Sequence, residues 1–360
     1  MTMSERLVQI LCEMVRIPSE SGNEREFILY LKDKLTKTLS AQCTIDSYGN
    51  LIAKIPGKDC ARKEPVFFAM HADTVSPGVG IEPTVREGVV SSNGDTVLGA
   101  DDKAGISELL EAILTAPRYP PLEIVVSREE ETGLAGAKNL DFTMIQSRTG
   151  FLLDTSALDS VVIGGPSHML VDVEIIGRAA HAAHAEEGIS AIKAASHAIA
   201  IIRDGRIDEE TVANVGTIQG GTIRNGVPER VSIKAECRSL NHEKCIQLGN
   251  TMKEAFEVAA KSIGAKAEVQ LHLAYKATRI PKDAPTVKIA CQAIESIAMV
   301  PKVMAICGGT DASVYNTKGL ETVVLGTGVR AQHTKGENIS AADMEKAVKM
   351  IHNIFSQLCG

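Results

Sequence analysis

At roughly 150 residues per domain, the 360 residues of this chain lead us to expect two domains, each long enough to bury its own core. With 44% hydrophobic and 23% charged residues the composition is globular, and no uninterrupted apolar segment approaches the ~18 residues of a membrane span. A net charge of −7 without a long basic run, and only 3% aromatic residues with no Trp, argue against nucleic acid and membrane as partners.

Met1 to Cys12 lacks a basic n-region and an unbroken apolar stretch with a cleavage site, so it reads as an amphipathic helix and not a signal peptide, which makes the cytoplasm the expected compartment. Ser4 to Val15 carries apolar residues at helical spacing, and Ile17-Pro18 ends the stripe. Asn23-Glu24-Arg25-Glu26 has the form of a capping box opening a helix to about Leu35. Cys43 to Tyr48 and Leu51 to Ile55 flank Gly49-Asn50, a hairpin signal. The apolar run Pro65 to Met70 delivers His71 and Asp73 at its end. Asp102 caps a predicted helix over Lys103 to Thr115, the strand Leu122 to Val126 runs into Glu129-Glu130-Glu131, and the strand Phe151 to Leu153 ends at Asp154. Strands alternating with helices imply an α/β fold with a mixed, mostly parallel central sheet, in which ligand-binding groups collect at strand C-terminal ends.

Near Ser167 the rhythm changes. The strand Met169 to Ile176, helix Ile189 to Ile202, strands Val212 to Ile218 and Glu229 to Cys237, helix Asn241 to Ile263 and strand Ala267 to Leu273 spell β-α-β-β-α-β, a ferredoxin-like α+β domain inserted into the first. The expected boundaries are 168–276 for the inserted domain, with 1–167 and 277–360 forming the discontinuous one. The α/β pattern resumes with a helix from about Ala284 to Ala298, strands at Val303 to Ile306 and Thr322 to Leu325, and a last helix opened by Ser340. Eight cysteines lie scattered with no Cys-x-x-Cys pair, so reduced thiols, buried as small hydrophobes, are expected.

Chemistry-bearing residues cluster at the predicted strand ends. His71-x-Asp73 suits a metal ligand with a supporting carboxylate on the same side of a strand, or a simple hydrogen-bonded loop pair. Asp101-Asp102 stands where a glycine-rich loop becomes a helix. A helix cap explains one of these acids and leaves the other available to a cation. Glu129-Glu130-Glu131 fits a solvated charge run equally well, whereas Asp154 ends a strand that reads as buried. If these groups converge at the end of one sheet, one or two divalent cations remove the electrostatic cost.

His71-x-Asp73, Gly99-Ala100-Asp101-Asp102-Lys103-x-Gly105, Glu130-Glu131-x-Gly133, Asp154 and Gln332-His333-Thr334 together resemble the M20 family of dinuclear zinc metallopeptidases. The Gly-Ala-Asp-Asp-Lys-Ala-Gly wording and Gly308-Gly309-Thr310-Asp311-Ala312 are most similar to its peptidase T (tripeptide aminopeptidase) branch. The resemblance implies two Zn2+ per chain, with Co2+ or Mn2+ as substitutes. Asp101 is then shared between the two ions, with His71 and Asp154 completing one site and Glu131 and His333 the other. It also implies Glu130 as general base and Asp73 as the carboxylate that orients His71. In the inserted, dimerising lid domain it gives His181 an oxyanion-stabilising role across a homodimer and Asn225 and Arg238 roles in substrate binding, a role it also gives to Gly309 and Thr310 of the first domain. A His181-x-x-His184 metal site is the competing reading of that stretch, and Ala183 departs from the Gly found in many relatives.

The expected activity is release of the N-terminal residue from short peptides, in particular tripeptides. The same site chemistry serves an N-acyl amino acid deacylase or a carboxypeptidase. A metal-binding protein without activity is the third alternative.

Overall fold

The computed structural model describes residues 2–360, which separate into two compact units. One comprises the chain up to Gly164 together with Arg279–Ala305 and Thr310–Gly360, and the other comprises Gly165–Thr278 and Ile306–Gly309.

The sheet of the first unit is mixed. The strands Gln42–Ile45, Leu51–Ile55, Leu122–Ser127, Val66–His71, Thr149–Thr155, Glu321–Gly326 and Ser160–Gly165 lie side by side in that order. The central four of these seven are mutually parallel, Val66–His71 pairing with both Leu122–Ser127 and Thr149–Thr155, and the latter with Glu321–Gly326. Gln42–Ile45 and Leu51–Ile55 form the expected hairpin, with Ile45 opposite Leu51 and Gly49 at φ 106° in the turn. Val66–His71 and Leu122–Ser127 are buried along their whole length, as strands covered on both faces must be. The helices Met3–Val15, Ala100–Thr115, Pro285–Glu295 and Ala341–Cys359 contribute apolar faces to one core, among them Leu7, Leu11, Ile106, Leu110, Val348 and Phe355.

Three local expectations are corrected. The helix Arg25–Leu39 has no capping box: Glu24 holds the N-cap position without a capping bond, its carboxylate instead accepting from Gly22, Glu129 and Arg128. Asp102 does not cap the next helix, because the turn starts earlier, at Gly99, and Asp101 and Asp102 themselves have non-helical dihedrals. Cys60 and Cys359 form a disulfide, which ties the end of the last helix to the segment after Leu51–Ile55, while the other six cysteines are free. Neither the spacing of these two cysteines nor their neighbours signalled the pairing, since 299 residues separate them.

The second unit holds a five-stranded antiparallel sheet in the order Gly205–Asp208, Thr211–Gly220, Arg230–Ser239, Ser167–Ile176, Lys266–Tyr275. The helices Ala191–Ile201 and His242–Ser262 share with it a core that includes Val171, Ile175, Ala195, Ile233, Met252 and Phe256. This is the β-α-β-β-α-β order read from periodicity, with Gly205–Asp208 added as an edge hairpin. That strand is short and mostly exposed, so it carries no alternating apolar signal. No helix among the described residues is long and apolar enough to cross a membrane.

Candidate active site

Parallel pairing aligns the C-terminal ends of the four central strands, and that is where the acids and imidazoles of the first unit emerge. His71 ends its strand opposite Ser127, three residues before Glu130, and Asp154 stands one residue before the end of Thr149–Thr155. The loop after Glu321–Gly326 brings in His333. Asp101 comes from the turn entering Ala100–Thr115, a helix that approaches the sheet closely at Gly105. A Cβ there would lie 2.7 Å from the Leu153 carbonyl oxygen and 2.6 Å from Asp102 Oδ1, so only glycine fits.

Ligand atoms of His71, Asp101 and Glu131 lie within 4.8 Å of one another, as do those of His71, Asp102 and Asp154. Asp101 reaches both imidazoles, its Oδ1 lying 3.5 Å from His71 Nε2 and its Oδ2 3.3 Å from His333 Nε2. Asp154 Oδ1 is 3.8 Å from His71 Nε2, and Glu131 Oε1 is 2.8 Å from His333 Nε2. Asp102, by contrast, is buried with both carboxylate oxygens unpartnered. Glu130 is buried as well and is not among the acids that pair with either imidazole.

Asp73 organises this arrangement from beneath. Its carboxylate accepts the backbone N–H of Glu130 at 3.0 Å and of Glu131 at 3.1 Å, together with the Ser21 hydroxyl at 2.7 Å. His71 Nδ1 lies 2.9 Å from the Asp73 carbonyl oxygen, which can only accept, so Nδ1 carries the proton and Nε2 faces the acids.

The electrostatics call for a cation. Two like charges about 4 Å apart repel by ~4 kcal/mol at an effective dielectric near 20, a large fraction of the ~5–15 kcal/mol that holds a domain folded. Burial first, and Asp154 next, push Glu130 well above the usual carboxylate range, and burial does the same to Asp102 and Asp154. His71 is raised despite burial, by hydrogen bonds with Asp101 and Asp73, and His333 is raised to about 10 by Asp101 and Glu131. The fully buried Lys103 does not neutralise the acids: its Nζ donates to the Ile17 carbonyl and lies 4.6 Å from the Phe27 ring centroid. Imidazole and carboxylate donors with open atoms suit divalent cations such as zinc.

His181, Asn225, Arg238 and Gly309 belong to the second unit and are described within it. His181 Nδ1 accepts from Ala183 N at 3.1 Å, which turns the chain without a glycine at 183. The three-residue group that surrounds His184 is His184, Glu186 and Glu187, all exposed, and His181 is not in it. The Asn225 carbonyl accepts from Ala182 N at 2.9 Å, placing the two segments side by side. Arg238 is held by Glu236, whose other side takes His168 Nε2 at 2.8 Å, and Glu236 is pulled down to about 2, chiefly by that His168 bond. Gly309 leaves room for the Tyr275 hydroxyl, which a Cβ would approach to 2.1 Å. Thr310 is in the first unit, where its carbonyl accepts from Ser313 N at 2.8 Å.

Several residues around the site were given no role by the sequence. Ser21 reaches Asp73 across a long separation. Asp311, fully buried, accepts from Ser127 Oγ and from Tyr315 Oη, and burial lifts it to about 6. Glu337, also buried and raised to about 6 by its burial, accepts from two backbone amides of the Asp101 turn. An acid four residues after His333, before the short strand Asn338–Ser340, was the available hint.

The chain is similar to known proteins over its whole length. Residues 164–263 match the peptidase dimerisation domain of the M20 family. The protein YqjE of Bacillus subtilis (strain 168) is 36% identical over 370 residues, covering 99% of each chain. Among solved structures, the aminopeptidase PepT from Bacillus cereus ATCC 10987 is 36% identical, covers 100% of both chains and superposes with a TM-score of 0.89. A tripeptidase from Staphylococcus aureus subsp. aureus Mu50 is 32% identical, covers 99% of this chain and 98% of its own, and gives a TM-score of 0.93.

Proposed function

The chain belongs to the M20 family of metallopeptidases, on its peptidase T side, as an aminopeptidase-type hydrolase, and on that premise we propose that it releases the N-terminal residue of short peptides, tripeptides above all, in the cytoplasm and through a dinuclear zinc centre. Asp101 would be shared by the two ions, His71 and Asp154 completing one site and Glu131 and His333 the other. When bound, the ions supply Lewis acidity toward the scissile carbonyl and make an attacking water acidic near neutral pH.

The remaining steps fall to the protein's own side chains. Glu130 takes the proton from the water and passes it to the leaving amine. It is suited to this because burial and the Asp154 charge make it a better base than a solvated carboxylate. Asp73 fixes the backbone of Glu130 and Glu131 and the tautomer of His71. Asn225, Arg238, Gly309 and Thr310 bind the peptide, and His181, supplied by the second subunit of a homodimer, stabilises the oxyanion.

What carries the reading is the convergence on one spot of Asp101 with both imidazoles, Glu131 and Asp154, beside a Glu130 that pairs with neither imidazole. The test is a mass-spectrometric screen of the zinc-loaded protein against free-amino di- and tripeptides and their N-acetylated counterparts. Release of the N-terminal residue from free tripeptides is expected. Cleavage of the N-acetylated peptides alone would replace the aminopeptidase by a deacylase. In the same assay Glu130→Gln, which keeps the shape and removes the proton acceptor, should lower kcat by roughly 10²-fold or more with metal content unchanged. Near-normal turnover would mean a different base.

A further inference from the structure

Glu337 is a fully buried acid that the proposed mechanism leaves without a task. Its Oε2 accepts the backbone N–H of Gly99 at 2.7 Å and its Oε1 that of Asp101 at 2.9 Å. Both amides belong to the turn that opens Ala100–Thr115, where Gly99 stands at φ 67° and Asp101 at φ −82°, ψ 103°. A turn of this shape cannot satisfy its own N–H groups, and the first amides of any helix lack partners within it. A carboxylate supplies both acceptors, and its charge suits the positive end of the helix.

The other side of Glu337 is the segment that presents His333. Glu337 N donates to the Thr334 carbonyl at 3.1 Å, and Asn338 exchanges backbone bonds with Arg330 at 2.8 and 3.0 Å. This closes a turn in which Ala331 and His333 both have left-handed dihedrals, φ 53° and 60°, a conformation that non-glycine residues hold only where surrounding bonds enforce it. One side chain therefore joins the backbone that carries Asp101 to the backbone that carries His333, and their side chains meet 3.3 Å apart.

We propose that Glu337 is a positioning residue of the metal centre, a tether whose two-pronged grip on Gly99 and Asp101 keeps the Asp101 carboxylate and the His333 imidazole at ligand spacing. The proposal rests on the reading that these residues hold divalent ions. Glu337→Gln keeps the volume but presents an NH2 to one of the two amides, so one bond is lost, and Glu337→Ala loses both.

The test is zinc binding to the metal-free full-length protein, read by competition with a chromogenic chelator, beside thermal melts of the metal-free variants. Glu123→Gln is the control. Glu123 is an equally buried carboxylate, at the opposite end of the strand that leads to Glu130, and accepts from Gln146 N, Ser147 N and Ser147 Oγ. Loss of a ligand's supporting bond typically weakens metal binding by ~10–100-fold, and that is the expected effect of Glu337→Gln, with Glu337→Ala at least as large and Glu123→Gln binding zinc as the unaltered protein does. Unaltered zinc affinity in folded Glu337→Gln overturns the tether alone, as does an equal loss in Glu123→Gln, which would trace the effect to general destabilisation. Failure of the unaltered protein to bind zinc overturns the metal centre, and the tether with it.

Discussion

His71 and His333 face the same Asp101 carboxylate from opposite surroundings. His71 has 1% of its surface exposed, whereas the His333 side chain is 53% exposed. In the metal-free protein His333 is raised from its ordinary 6.5 to about 10 by hydrogen bonds with Asp101 and Glu131. A group raised on folding adds stability that is complete below its unfolded pKa and fades as pH climbs through its folded one, so this contribution fades as the pH approaches 10. Ligation demands the neutral ring, and zinc must therefore displace that proton. Zinc loading at pH 7 should release at least one proton per chain, and apparent affinity should rise from about pH 6 to pH 8. Calorimetry in buffers of different ionisation enthalpy measures the release directly, and a heat independent of buffer would mean that His333 is either already neutral in the metal-free protein or not a ligand. At this scale the sequence was informative for groups that stand at strand ends, His71, Asp73, Glu130, Glu131 and Asp154. It assigned no role to Ser21, to Asp311, which it quoted only within the Gly308–Ala312 motif, or to Glu337, whose parts in the site come from contacts with segments far along the chain.

Among the elements, long and strongly periodic segments matched their predicted ranges to within a few residues, as did core strands such as Thr149–Thr155 and Glu321–Gly326, whereas two predicted helix starts did not hold. The Ser340 cap was read correctly, since its hydroxyl accepts from Asp343 N at 3.0 Å. The Asn23–Glu26 box was not, because Glu24 is drawn into bonds with Gly22, Arg128 and Glu129 that outweigh a local cap. Strands such as Thr84–Arg86 and Val89–Ser91, with three residues each, are too short to show a period. The Cys60–Cys359 bond closes most of the chain into one loop, and cross-links of this kind contribute ~0–5 kcal/mol, chiefly by restricting the unfolded chain. Intact-mass measurement before and after reduction should show two hydrogens gained, and Cys359→Ser should lower Tm by several degrees in non-reducing buffer but not in the presence of a reductant. Equal melting of both proteins under both conditions would mean that the thiols stay apart in solution. Because disulfides are rare in reducing compartments, the same measurement bears on the cytoplasmic assignment.

For the whole molecule, the break in rhythm near Ser167 marked where one fold interrupts another, because a change from parallel α/β spacing to β-α-β-β-α-β is visible in periodicity alone. How two copies meet is not written in periodicity, although the matched dimerisation domain and the exposed Ile192, Ile201 and Val258 on the helices of the second unit favour a homodimer. If His181 serves the neighbouring subunit's site, His181→Ala should lower kcat by roughly 10²-fold, the scale of losing one oxyanion donor, while zinc content is unchanged. Complementation then separates a cross-subunit role from a local one. A dimer of one Glu130→Gln subunit with one His181→Ala subunit holds one site with both groups intact and one site with neither. Random exchange of equal amounts makes half the dimers mixed, so activity should recover to about a quarter of the unaltered level, once exchange has been verified with differently tagged chains. Mixed dimers that form and remain inactive would place the action of His181 within its own chain.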